Sequence, residues 1–231
     1  MTSLSQGDQL ADPPPPRLPA DHPGVNELFA LLAYGEVAAF YRLTDEARMA
    51  PDLRGRISMA SMAAAEMAHY EVLCEALEKR GVDVLPAISK YASALEGYHR
   101  LTTPSTWLEA LVKTYIGDAL AADFYLEIAD SLPDEVADVV RSTMSETAHS
   151  QFVVAEVRAA IAKSNKQRSR LALWSRRLLG EAITQAQYVL AEHDELVDLV
   201  VSRTGGLAQV SEFFDRLQRT HDERTRELGL A

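Results

Sequence analysis

"AAAEMAHYEVL" at residues 63–73 and "MSETAHSQFVV" at residues 144–154 decide how this chain is read. Each centres on Glu-x-Ala-His, a carboxylate and an imidazole three residues apart among small and apolar side chains. At helical pitch, residues three apart share a face. Glu66 with His69, and Glu146 with His149, therefore project the same way from what read as two buried helices. A lone Glu-x-x-His carries little weight, since about half a match arises by chance in a chain of this composition. The duplication, and what lies upstream of each copy, carries the inference.

Upstream stand "YGEVAAFY" (34–41) and "IGDALAADFY" (116–125), each a glycine, an acid, small residues and Phe-Tyr. Thirty residues separate Glu36 from Glu66, and 28 separate Asp118 from Glu146. With hairpin turns near residues 51 and 132, all four acids lie about 14 or 15 residues from their turns, about 21 Å along a helix axis. They meet at one level of a bundle. Four carboxylates and two imidazoles in an apolar interior need neutralising, because desolvating a single ion costs several kcal/mol. Two divalent metals would supply that charge, and mixed oxygen and imidazole donors suit iron or manganese. A third Glu-x-x-His, Glu96 and His99, has Gly97 inside it and no acid partner some 30 residues upstream, so it reads as coincidence.

The remainder of the chain frames this site. Residues 1–23 carry Pro13 to Pro16, Pro19 and Pro23, a composition that holds the backbone extended and predicts a disordered arm. From Val25 onward apolar residues recur at helical spacing. Helix A is expected over about 24–49, ending before Pro51, and helix B over 51–80, stopped by Gly81. A connector over 81–103 is too long for a hairpin turn. Helix C is expected from Pro104 to about 131, and helix D from Pro133 to about 163, with Asp134 and Glu135 in its first turn. Helices over about 170–203 and beyond Gly206 follow. The expected fold is all-α: a four-helix bundle over 24–163 with one long crossover, and two additional C-terminal helices over 164–231 forming a hairpin packed on it.

A net charge of −11 over 231 residues argues against general coating of nucleic acid. Against that background, residues 158–180 carry Arg158, Lys163, Lys166, Arg168, Arg170, Arg176 and Arg177 with no acid, and Trp174 lies among them. This segment is a candidate RNA or anion contact, or a solvated loop. The single cysteine, Cys74, leaves no disulfide framework and points to a reducing cytoplasm. No basic and apolar leader and no stretch of about 18 apolar residues is present, so neither secretion nor a membrane span is expected. Tyr41, Tyr115 and Tyr125, and Met59, Met62 and Met67, are most simply core. Asp123 is a weaker ligand candidate than Asp118, and Glu181 and His193 weaker still.

Over residues 25–163 these motifs resemble the ferritin-like superfamily of di-iron proteins. Within it they are most similar to an actinobacterial branch like the tRNA hydroxylase (MiaE) that acts on methylthio-isopentenyl-adenosine. The resemblance implies that Glu36, Glu66, His69, Asp118, Glu146 and His149 hold two irons, with Glu66 and Glu146 bridging. It also implies hydroxylation with dioxygen, electrons from a separate reductase or ferredoxin, and tRNA or a small organic molecule as substrate. Asp118 departs from the commoner Glu and is one methylene shorter. An iron-handling ferroxidase and a metal-free interaction protein are the alternatives, and a monomer or homodimer is the assembly an enzyme would show.

Overall fold

Helix α1 (Pro23–Glu46) begins with proline in its first turn, where the Gly24 backbone N–H donates to His22 Nδ1 at 3.1 Å. The computed structural model describes residues 18–130, 132–144, 149–204 and 207–231, and all their regular structure is helical. A 3-10 turn over Ala47–Met49 reverses the chain, and Asp52 caps helix α2 (Leu53–Lys79) by accepting the Gly55 N–H at 2.8 Å. At its far end Gly81 takes a left-handed φ of 73°. There the Gly81 and Val82 N–H groups donate to the carbonyls of Glu78 and Leu77, closing the helix as its glycine predicts. Arg80 then reaches Asn26 and the Ala20 carbonyl, so α2 runs antiparallel to α1 over its whole length.

The crossover is structured. It contains helices α3 (Val84–Ser89) and α4 (Ala92–Leu101), and α4 lies against α1. Helix α5 (Trp107–Ala129) starts three residues after Pro104, because Thr106 is the stronger cap. Its hydroxyl accepts the Glu109 N–H at 3.3 Å while Glu109 accepts the Ser105 N–H at 2.7 Å.

The expected helix D is divided: α6 spans Asp134–Thr143, and α7 spans His149–Ile161. The end of α6 has a local cause. The Ser142 hydroxyl donates to the Val139 carbonyl at 2.7 Å and the Thr143 hydroxyl to the Val140 carbonyl at 3.0 Å, competition that weakens a helical turn. Where two C-terminal helices are expected, three are found. Helix α8 (Asn165–Glu192) starts under a Ser164 cap, breaks at His193, and is followed by α9 (Asp194–Thr204) and α10 (Leu207–Glu227). Of the expected arm, residues 1–17 lie outside the described residues, whereas Leu18 and Ala20 pack against the core.

Two apolar clusters fill the interior. One gathers the start of α1, the end of α2, α9 and the end of α5 around Leu28, Leu32, Leu77 and Leu199. The other gathers the start of α2, α5, α7 and α8 around Met59, Leu111, Val157 and Leu178. Gly24 admits the closest approach in the first: a Cβ there would lie 2.4 Å from the Glu195 carbonyl oxygen. Between the clusters, at the level of Glu36 on α1 and Glu66 on α2, the interior turns polar.

Candidate metal centre

The α1–α2 hairpin brings Glu36, Glu66 and His69 together, one potential ligand atom of each lying within 4.8 Å of the others. His69 Nδ1 is 3.6 Å from Glu36 Oε2 and 3.6 Å from Glu66 Oε2. Those distances are too long for hydrogen bonds, and this buried nitrogen has no hydrogen-bonding partner. Glu36 is 5% exposed. Burial pushes its carboxyl upward, and the adjacent Glu66 adds to the effect over the opposing pull of His69. Burial acts on Glu66 too, but contacts from His69 and Glu36 and the charge of Arg42 outweigh it and hold that carboxyl low. Contact with Glu36, then Glu66, raises His69 to about 10. Two carboxylates crowded onto one unpartnered imidazole nitrogen fit a divalent cation of the oxygen-and-nitrogen type.

Asp118 is held differently. Arg42, 9% exposed, donates from Nη2 to Asp118 Oδ1 at 3.0 Å and from Nη1 to Glu46 Oε2 at 3.2 Å and Thr114 Oγ1 at 3.0 Å. Lys113 Nζ, also buried, lies 3.5 Å from Glu46 Oε1. Arg42 and Lys113 thus supply fixed positive charge that the sequence reading, with two divalent metals neutralising Glu36, Glu66, Asp118 and Glu146, did not include. Among the described residues, Arg42 and Lys113 offset part of the charge of Glu46 and Asp118, and Glu36, Glu66 and His69 converge beside them. Glu146 lies outside the described residues. Of His149, the first residue of α7, the side chain also lies outside them.

The triad opens on a cavity of about 280 Å³. Asp118, Arg42, Tyr98 and His99 also line it, along with a larger apolar wall that includes Leu32, Met62 and Ala122. About half of the Asp118 side-chain surface is accessible, and Asp118 faces this cavity.

The sequence model of the family described as "Ferritin-like domain, actinomycetes" matches residues 20–203. This chain belongs to that family. No curated protein matches it. The family match runs from the last residues before α1 through α8 and nearly to the end of α9. Among the described residues of this ferritin-like chain, no helix is long and apolar enough to cross a membrane.

Within the ferritin-like bundle, His99 is the residue that sequence reasoning misplaced. Glu96 and His99 do not act as a pair: Glu96 accepts from the Tyr34 hydroxyl at 2.6 Å near the surface, whereas His99 lines the cavity with Nδ1 buried and unbonded. Burial, then Arg42 and Lys113, holds its pKa far below the ordinary 6.5. The native state thus keeps His99 neutral, while the unfolded chain takes up a proton below about pH 6.5. Stability is fully present above that value and falls as pH drops through it. In urea titrations between pH 7 and pH 5, wild type is expected to lose stability more steeply than His99→Phe. Parallel slopes would refute the assignment.

The ferritin-like chain assigns several other candidates to packing. Asp123 accepts from Arg224 of α10, with one contact at 2.7 Å. His193 stacks on Tyr91 at 4.6 Å. Tyr41, expected in the core, is instead exposed, Tyr115 donates to Glu227 at 2.7 Å, and Tyr125 lines the cavity. In the basic segment, Arg170 donates to Glu109 at 2.8 Å, Arg177 to the Leu101 carbonyl at 2.6 Å, and Arg158 to the Glu227 carbonyl at 2.7 Å. Trp174 is buried and donates to the Glu109 carbonyl at 2.9 Å, so its ring is not offered to a base. Lys163, Lys166, Arg168 and Arg176 remain exposed. Ser175, His221 and Asp222 superficially suggest a nucleophilic triad. Both Ser175 and His221 are fully buried, however, and His221 Nε2 also lies 3.1 Å from the Ser175 carbonyl, which marks a lock between α8 and α10.

Arg42 and Lys113 had a sequence signal that went unused. "LEALVKTYIGDALAA" at 108–122 sets a lone lysine in an apolar helix, the same anomaly that singled out Glu66, and Arg42 precedes Glu46 by one helical turn.

Proposed function

We propose that this protein is a non-haem iron oxygenase that hydroxylates a small organic molecule with dioxygen. Glu36, Glu66 and His69 hold the metal; manganese satisfies the same donors. Glu146 and His149 of the second Glu-x-Ala-His, together with Asp118, are the candidates for completing a two-iron centre. The observation that carries this reading is the cavity of about 280 Å³ on which the three donors open. A ferroxidase, whose substrates are only ferrous ion and dioxygen, has no use for such a chamber, and its apolar wall suits organic substrate.

Bound iron would supply the reductive activation of dioxygen. Inserting one oxygen atom into a C–H bond consumes two electrons and two protons and releases the second oxygen as water. A separate reductase or ferredoxin is therefore required. Arg42 fixes Asp118 at the cavity wall, which Tyr98, Tyr125 and Leu95 also line. The cytoplasm suits a chain whose single cysteine forms no disulfide. Hydroxylation of tRNA is the more demanding form of the reading, because a base must be extruded into the cavity.

The test begins with protein reconstituted anaerobically with ferrous iron and then exposed to dioxygen and excess iron. Uptake is expected to saturate at no more than about two irons per chain, with a mass in solution of a monomer or dimer. Tens of irons per chain on a shell-sized assembly would establish iron storage instead. Nucleosides from a deletion strain then separate the substrate classes: loss of a hydroxylated adenosine points to tRNA, and an unchanged profile to a small molecule.

A further inference from the structure

Beside the reaction chamber lies a second cavity, of about 150 Å³, to which α8 and α9 contribute in place of α2 and α7. Leu31 of α1, Phe124 of α5, Ile183 and Ala186 of α8, Val200 of α9 and Leu217 of α10 line it. Leu95, Tyr98, Gly117, Ala121 and Tyr125 line both cavities. Two small residues, Gly117 and Ala121, stand on that shared wall, and the Tyr98 hydroxyl packs at contact distance, 3.5 Å, from where a Cβ of Gly117 would lie. Apart from Gln185 and the two tyrosines, its lining is apolar.

We infer that this second cavity is a binding pocket for an uncharged hydrocarbon or aromatic group of about the size of a benzene ring, held so that the rest of the ligand reaches the chamber of Glu36, Glu66 and His69. Three features carry the inference. Interiors are normally packed to the density of organic crystals, so a void of this size leaves its lining short of partner atoms. The void is not one that the chain fails to fill for lack of room, since Gly117, Ala121, Ala182 and Ala186 on its lining are all small. An apolar cavity of about 150 Å³ lined by Leu, Ile and Phe excludes water and accepts a benzene-sized ligand. The charged groups of the first cavity are mostly paired with one another, so selectivity for the apolar end of a ligand falls to the second cavity. The direction of the ligand, though not the pocket, rests on the reading of the first cavity as a reaction chamber.

The probe is 4-fluorotoluene, followed by fluorine NMR on the full-length protein loaded with Mn²⁺ or, as a diamagnetic reference, Zn²⁺. Saturable binding is expected, with the bound signal broadened by Mn²⁺ and not by Zn²⁺. Ala186→Leu, which fills the second cavity and touches no metal ligand, is expected to weaken the probe at least tenfold with metal uptake unchanged. Ile183→Phe, filling the same space, serves if the first variant does not fold. Unchanged probe affinity in a folded, filled variant overturns the pocket. Tight binding that Mn²⁺ leaves sharp overturns its connection to the metal chamber. Glu66→Ala is expected to abolish metal uptake while retaining the probe, so failure of the metal reading is distinguishable from failure of the pocket.

Discussion

Glu66→Ala and His69→Ala will each lower affinity for ferrous iron by about 100-fold or more, measured by anaerobic titration, while His99→Ala leaves it within a few fold. The magnitude follows from position. Even residues that merely orient a metal ligand cost about 10- to 100-fold when removed, and these two supply the donor atoms themselves. His69 Nδ1 is buried with no hydrogen-bonding partner and 3.6 Å from a carboxylate oxygen on either side. Removing Glu66 leaves two donors of the converging triad, too few to replace a cation's water shell. His99 also lines the cavity, but no acid of the described residues converges on it as Glu36 and Glu66 converge on His69. Because contact with the two acids raises His69 above its ordinary value, metal must displace a proton, and affinity is expected to rise with pH across the neutral range. Equal iron affinity in wild type and Glu66→Ala would remove the centre from this hairpin.

The second large effect concerns stability. Arg42→Met is expected to destabilise the protein by about 3 to 5 kcal/mol in urea unfolding, the loss typical of breaking a buried ion pair from one side. Methionine fills much of the same volume, so the loss is electrostatic: Glu46, 5% exposed, is left with Lys113 alone, and Asp118 loses a hydrogen bond of 3.0 Å. Adding Glu46→Gln to Arg42→Met should restore a large part of the loss, which a packing defect would not allow. Adding Asp118→Asn should restore less, because the Asp118 side chain is half accessible and already partly solvated in the cavity.

Residue by residue, the first hairpin was readable, and of the second only the break in its last helix can be compared. Glu36 and Glu66 meet because two long helices, a tight turn and a glycine stop leave one way to fold, so counting residues from the turn places both at the same height. The same count applied to Asp118 and Glu146 assumed an unbroken helix over 133–163; hydroxyl groups at 142 and 143 end α6 first, and Glu146 lies outside the described residues. Charge was read only as acids needing metal. Arg42 and Asp118 are 76 residues apart in sequence, and nothing local announces that a guanidinium from α1 meets a carboxylate from α5. His99 was set aside for want of an upstream acid, yet α4 brings it to the cavity from the crossover, an element whose path no periodicity specifies. The all-helical bundle itself, by contrast, follows from pattern alone, and the family match agrees with it.

The guanidinium of Arg42 has a consequence in time. A site neutralised wholly by metal would hold its helices apart until metal arrived, and the empty chain would be at the mercy of proteases. Here the charges of Arg42 and Lys113 are covalently attached and present from synthesis, and a proton on His69 adds to them. The bundle can therefore close before it is loaded. On the proposed reading, a newly made chain waits as a finished vessel, and metal supply sets when it becomes competent, not whether it survives.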